Sequence, residues 1–196
     1  PGHSYSPDGI DAALNDEHKA LAEAAFLLRE AGHKIKRISG GSTPTAELSD
    51  NSVLTEVRPG VYVFGDAQQF ELGRVRWEDI SLSVASTVIS RHEGDGRIPR
   101  RIVLDAGSKV LGGDRPAWAT GYGRIAECPE ARISALSEHH ATVLWPEDQP
   151  LPAHGQQLQV IPNHVCVAVN LVDTVLAVHE DGTSEEWDVA ARGLNF

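Results

Sequence analysis

The sequence contains no methionine, only two cysteines, and fewer basic than acidic residues. Each shortage excludes something. With 17 Lys and Arg against 28 Asp and Glu, the formal net charge is -11. No basic surface is available for nucleic acid or for an anionic membrane, so neither is expected as a partner. Any anionic ligand must be held by local backbone donors. Two cysteines, Cys128 and Cys166, are too few for a disulfide scaffold, and a reduced, cytoplasmic setting is expected. No apolar run approaches the roughly 20 residues of a membrane span. Without a methionine at position 1, and with the opening Pro1-Gly2-His3, residue 1 is not expected to be the native translation start. A processed chain or a piece of a longer protein is expected instead.

What remains is an ordinary composition, 41% hydrophobic and 23% charged, in 196 residues that can bury a core. Ile10, Leu14, Leu21, Ala25 and Leu28 recur at helical spacing, and Gly32 stands where a C′ glycine ends a helix, so a helix is predicted over 10–31. A short strand over 34–39 follows. Gly40-Gly41-Ser42-Thr43-Pro44-Thr45 then leads into a helical turn at 46–48, with Thr43 as N-cap and Pro44 at N1. A glycine turn opening a helix presents N–H groups and hydroxyls, which is the chemistry of a phosphate cradle; a plain helix cap is the alternative. Arg58-Pro59-Gly60 opens a β-rich run over 61–64, and the Gly60 and Val61 N–H groups could share the same phosphate.

Beyond about residue 73 the texture changes to many short strands: 80–92, 101–105, 123–126, 131–136, 142–145, 157–161, 165–171, 174–179 and 184–189. Asp181-Gly182 between the last two is a hairpin signal. A β-barrel or sandwich is predicted. The expected division is 1–75, too short in βα units to close a barrel by itself, and 76–196, all β. If 165–171 is a strand, His164 and Cys166 share a face, because side chains alternate. An imidazole beside a thiol is half a site for a borderline-soft ion such as zinc.

Six stretches in order resemble one family: Gly2-His3-Ser4-Tyr5, Ser39-Gly40-Gly41-Ser42-Thr43-Pro44-Thr45, Thr55-Glu56-Val57-Arg58-Pro59-Gly60-Val61-Tyr62-Val63-Phe64, Asp105-Ala106-Gly107-Ser108-Lys109, Leu136-Ser137-Glu138-His139-His140 and Pro162-Asn163-His164-Val165-Cys166. Together they are similar to the D-threonine aldolase and D-serine dehydratase group, fold-type III pyridoxal-phosphate enzymes related to alanine racemase. The resemblance implies the last βα units of a (β/α)8 barrel followed by a C-terminal β-barrel-like domain. It implies that the cofactor phosphate sits on Gly41, Ser42, Thr43, Gly60 and Val61, with Tyr5 near the cofactor. It implies a divalent metal on His164 and Cys166. In the family a cysteine at that place goes with zinc and dehydratases, and an aspartate with manganese or magnesium and aldolases.

The implied activity is therefore that of a metal-assisted lyase on D-3-hydroxy amino acids, nearest to D-serine dehydratase, with D-threonine aldolase as the alternative. The family's Schiff-base lysine would lie upstream of this chain; Lys19, Lys34, Lys36 and Lys109 are not at its position, so no catalytic residue is assigned and the chain alone is expected to be inactive. Val61, Gly65, His139 and Val167-Ala168 depart from the family pattern, the last placing the substrate subclass in question. The family also implies a missing N-terminal barrel half and a homodimer in which both subunits shape each active site. Two further readings stand beside it: a non-catalytic metal-binding or assembly domain, and a zinc hydrolase using His164, Cys166 and His140.

Overall fold

The first long element forms where helical periodicity predicts it. In the computed structural model, which describes residues 6–194, α1 (Ile10–Glu30) buries Ile10, Leu14 and Ala25. Asp11 in the first turn and Arg29 in the last complement the helix dipole. The helix ends in a Schellman motif: Gly32 adopts φ +86, its N–H donates to Arg29 O at 3.0 Å, and the His33 N–H donates to Leu28 O at 3.0 Å.

The chain divides into two compact units. One comprises the chain up to Gly65, with Gln69–Ile80 and Pro116–Trp118; the other comprises Asp66–Gln68, Ser81–Arg115 and Ala119 onward. In the first unit, β1 (Ser39–Gly40) pairs in parallel with β2 (Glu56–Val57). The strand expected over 34–39 is thus reduced to a two-residue ladder. Gly40 packs under α1, where a Cβ would meet Leu21 Cδ1 at 2.8 Å. The expected helical turn is a 3-10 helix, Thr43–Leu48, with Ser42 as N-cap, one residue before the predicted Thr43. The run expected as a strand over 61–64 is also a 3-10 helix, Val61–Val63. Gly60 turns the chain into helical space (ψ -57), and the Phe64 and Gly65 N–H groups both close onto Val61 O. Tyr62 and Val63 are exposed there, so no buried face rewards extension. Short helical pieces follow at α2 (Ala67–Glu71) and Trp77–Asp79.

In the second unit, β3 (Val84–His92), β4 (Arg101–Leu104), β5 (Gly123–Ile125), β6 (Cys128–Leu136), β7 (Ala141–Leu144) and β8 (Gln157–Pro162) form a closed barrel in the order β3-β4-β7-β6-β5-β8. All six pairings are antiparallel. Val88, Ile102, Leu104, Ile125, Ile133, Val143, Leu158 and Val160 fill the interior. Along β4 and β7 they alternate with more exposed residues, which is the period-two pattern that the sequence shows. Closure leaves no sheet edge among these six strands. Two of the family-like stretches meet on this barrel. The one-turn helix α3 (Ser108–Leu111) starts with the Ser108 N–H donating to Ser137 O and the Lys109 N–H to Glu138 O. Gly107 is required at that crossing: a Cβ there would lie 2.4 Å from Ser137 O.

A second predicted strand is also wrong in kind. Residues 165–171 hold α4 (Val165–Asn170), a helix. Buried Val165 and Ala168 are three apart, a helical spacing that competes with the β-branched run and wins. The chain then forms the predicted hairpin, β9 (Thr174–Val178) against β10 (Ser184–Asp188), with Gly182 at φ +81. Among the described residues no helix is long and apolar enough to cross a membrane.

Candidate functional site

The barrel unit gathers the candidate metal donors at the start of α4. Three consecutive residues are tied down there, each differently. Asn163 is buried, and its side-chain amide donates to Asp114 O at 2.9 Å and to Gly121 O at 2.7 Å, using both N–H bonds. The His164 Nδ1 lies 2.5 Å from Asp114 Oδ2. The Val165 N–H donates to the buried Asp66 carboxylate at 3.1 Å, which caps the helix N-terminus. The Gln68 N–H adds a bond to Asn163 O.

Cys166 follows as an exposed free thiol. The expectation that His164 and Cys166 sit on one face of a strand is incorrect, because His164 is extended and Cys166 is helical. The Cys166 side chain nevertheless lies close enough to act on the His164 ring. It is the largest cause pushing the His164 ring up to about 9; desolvation opposes it, and Asp114 raises the value further. A cation binding through this ring must displace any proton on the nitrogen that ligates it.

The donor set fits a borderline-soft ion, a nitrogen and a sulfur side by side and open to solvent. It supplies two protein donors. Among the described residues no three His, Cys, Asp or Glu form a group that could hold a metal ion, and His140 is not gathered with the pair in one. The His140 carbonyl instead accepts from the Ser137 N–H in the β6–β7 turn.

The candidate cofactor residues lie in the other unit, apart from Tyr5, which lies outside the described residues. Gly41, Ser42 and Thr43 follow β1, and Gly60 and Val61 follow β2, so the parallel pair brings both loops to the same strand ends. They touch: the Tyr62 N–H donates to Thr43 Oγ1 at 3.2 Å. Thr43 and Tyr62 also line a cavity of about 610 Å³. The donors are not equally available. The Gly41 N–H is shared between both oxygens of Glu17, each at 3.1 Å, so this glycine already holds a carboxylate. Ser42 and Thr45 are committed to a reciprocal capping box. The Gly60 and Val61 N–H groups find no acceptor among the described residues, and the space beside Gly60 is open. Gly41 also has a structural duty, at φ +73 with Val57 Cγ1 2.8 Å from where a Cβ would be.

Sequence reasoning missed Asp66, Asp114 and Asn163. Asp114 was visible only as the end of a Gly-Gly-Asp turn. Nothing in the sequence signals a partner fifty positions away.

A closed six-stranded barrel that follows an α/β piece has the alanine racemase-like fold. The comparisons with known proteins agree with it. The family model described as "Putative serine dehydratase domain" matches residues 81–178. An uncharacterized protein of Mycobacterium tuberculosis is 59% identical over 133 residues, covering 68% of this chain and 99% of that protein. A D-threonine aldolase of Arthrobacter sp is 31% identical over 183 residues, covering 90% of this chain and 45% of the enzyme.

Among solved structures, D-threo-3-hydroxyaspartate dehydratase from Delftia sp. HT23 superposes with a TM-score of 0.78 at 28% identity, over 95% of this chain and 53% of that one. An alanine racemase-like protein of Idiomarina loihiensis gives 0.79 at 25% identity, over 95% and 52%. Solved forms of the Delftia dehydratase include a histidine-to-alanine variant and, two positions further on, a cysteine-to-alanine variant in the metal-free form.

The chain belongs to the putative serine dehydratase domain family, with D-serine dehydratases and D-threonine aldolases among its relatives. It spans about half the length of the curated enzymes that it matches.

Proposed function

We propose that this chain is the C-terminal portion of a pyridoxal-phosphate-dependent, metal-assisted lyase acting on D-3-hydroxy amino acids, most like D-serine dehydratase. The observation that carries it is the His164–Cys166 pair at the start of α4, with the His164 ring held by Asp114 and the Val165 N–H held by Asp66. The Delftia dehydratase supports it, having had a histidine and a cysteine at the same two-residue spacing replaced, one variant being metal-free. Residues 1–75 would carry the last barrel units and 76–196 the metal-bearing β domain.

His164 and Cys166 would hold the metal, zinc favoured by the thiolate, and the bound ion would supply Lewis-acid chemistry toward a substrate hydroxyl. Thr43, Gly60 and Val61 would hold the cofactor phosphate through one hydroxyl and two backbone N–H groups, with Gly41 and Ser42 contributing once Glu17 and the capping box yield. Pyridoxal phosphate, when bound, supplies the electron sink for the substrate Cα. The Schiff-base lysine is expected upstream of Pro1, and no residue of this chain is given that role. A homodimer is part of the proposal on family grounds.

The test is the full-length protein with D-serine and with D-threonine. Elimination converts D-serine to pyruvate and ammonia, and a chelator should abolish it. Glycine and acetaldehyde from D-threonine would establish the aldolase instead. A second reading, a non-catalytic metal-binding or assembly domain, is favoured by the Mycobacterium tuberculosis relative, 99% of which is matched by 133 residues of this chain. A full-length protein that lacks the upstream lysine and turns over neither substrate would establish it.

A further inference from the structure

The loop that ends in Asp114 is fastened to the His164 segment at three separate points. Gly112 adopts φ +74 against α4, where a Cβ would meet Val167 Cγ1 at 2.6 Å, so no larger residue fits. The Asp114 carbonyl accepts from the buried Asn163 amide. The Asp114 carboxylate meets His164 Nδ1 at 2.5 Å. Backbone and side chain of one residue thus grip two consecutive residues of the candidate metal segment. The ring is only partly exposed, with His164 and Asp114 side chains at 27% and 35%, so water competes weakly for this bond.

A neutral imidazole donates through one nitrogen and ligates through the other, and the partner of the first decides which nitrogen faces the metal. We propose that Asp114 is the positioning residue of the metal site: by engaging His164 Nδ1 it directs Nε2, together with the Cys166 thiolate, at a divalent cation. This inference rests on the reading of His164 and Cys166 as metal donors. Asp114 does not touch the ion. It fixes the ring that does, and its negative charge raises the basicity of that ring toward the metal. The two-donor site depends on it more than a three- or four-donor site would, because no other protein ligand restores the geometry once the imidazole turns.

Zinc affinity of the wild-type chain, Asp114→Ala and Asp114→Asn is measured by chelator competition, with thermal melts of the metal-free proteins alongside. Asp114→Ala should bind zinc about 10- to 100-fold more weakly. Asp114→Asn keeps an acceptor for the Nδ1–H and should recover part of that loss. Cadmium bound to isotope-labelled wild-type chain, read by metal–nitrogen coupling, should sit on His164 Nε2, a result that does not depend on any variant folding. Cadmium on Nδ1 overturns the inference, as does an Asp114→Ala protein that binds zinc as tightly as wild type; in both cases the donor pair itself stands. A wild-type chain that binds neither zinc nor cadmium overturns the donor pair and this inference with it.

Discussion

The buried carboxylate of Asp66 accepts the backbone N–H of Val165 at 3.1 Å, from ninety-nine positions away in the chain. Asp66 is 1% exposed, so the pair is shielded from water. The bond holds the first turn of α4, and that turn carries Cys166.

Removing this cap should therefore cost both stability and metal affinity. Asp66→Ala leaves the Val165 N–H buried without its acceptor, a loss of about 1–3 kcal/mol in urea denaturation. Zinc affinity should fall in the same variant because Cys166 loses its fixed position. Asp66→Asn keeps an acceptor and should lose less of each.

Two glycines in adjacent loops should respond differently to the same change. A Cβ at Gly107 would lie 2.4 Å from Ser137 O and 2.5 Å from Glu138 O, and neither backbone atom can swing aside. Gly107→Ala should destabilise the barrel by about 1–3 kcal/mol. Gly113 has nothing within 4 Å of its Cβ position, and Gly113→Ala should leave the melting temperature nearly unchanged.

In the barrel core, Ile133 is fully buried among Val88, Leu104 and Val143. Ile133→Ala should cost about 2–5 kcal/mol, checked by chemical denaturation, since closed strands cannot easily collapse into the space.

Asp105 sets an acid limit. Its carboxylate accepts from the Thr87 N–H and the Ser86 hydroxyl, each at 2.7 Å, and these bonds, Thr87 first, hold its pKa below the ordinary 3.8. A carboxyl whose folded value is depressed stabilises the fold fully above its unfolded value, and the benefit is lost as pH falls through the folded value. The gap in melting temperature between wild type and Asp105→Ala should be constant near neutrality and shrink below about pH 3.8. A gap that widens toward acid would contradict the hydrogen-bond account.

Periodicity made some elements readable and left others hidden. The alternation of Arg101, Ile102, Val103 and Leu104 is a strand with one buried face, and the structure shows that face inside a barrel. Val165 to Asn170 misled, because a β-branched run reads as strand while its buried residues keep helical spacing. The capping carboxylate of Asp66, which favours the helix, is remote in sequence. His164 and Cys166 do meet, but across a helix start and not along a strand. Tyr62 shows the local limit: its N–H donates to Thr43, a contact between two loops that follow neighbouring strands and that neither loop's own sequence specifies.

Zinc titration by calorimetry, with wild-type chain and Cys166→Ala in parallel, tests the central claim most directly. The account predicts one ion per wild-type chain and loss of that binding in the variant. Wild-type chain that takes up no zinc, or a Cys166→Ala protein that binds as wild type does, would contradict it.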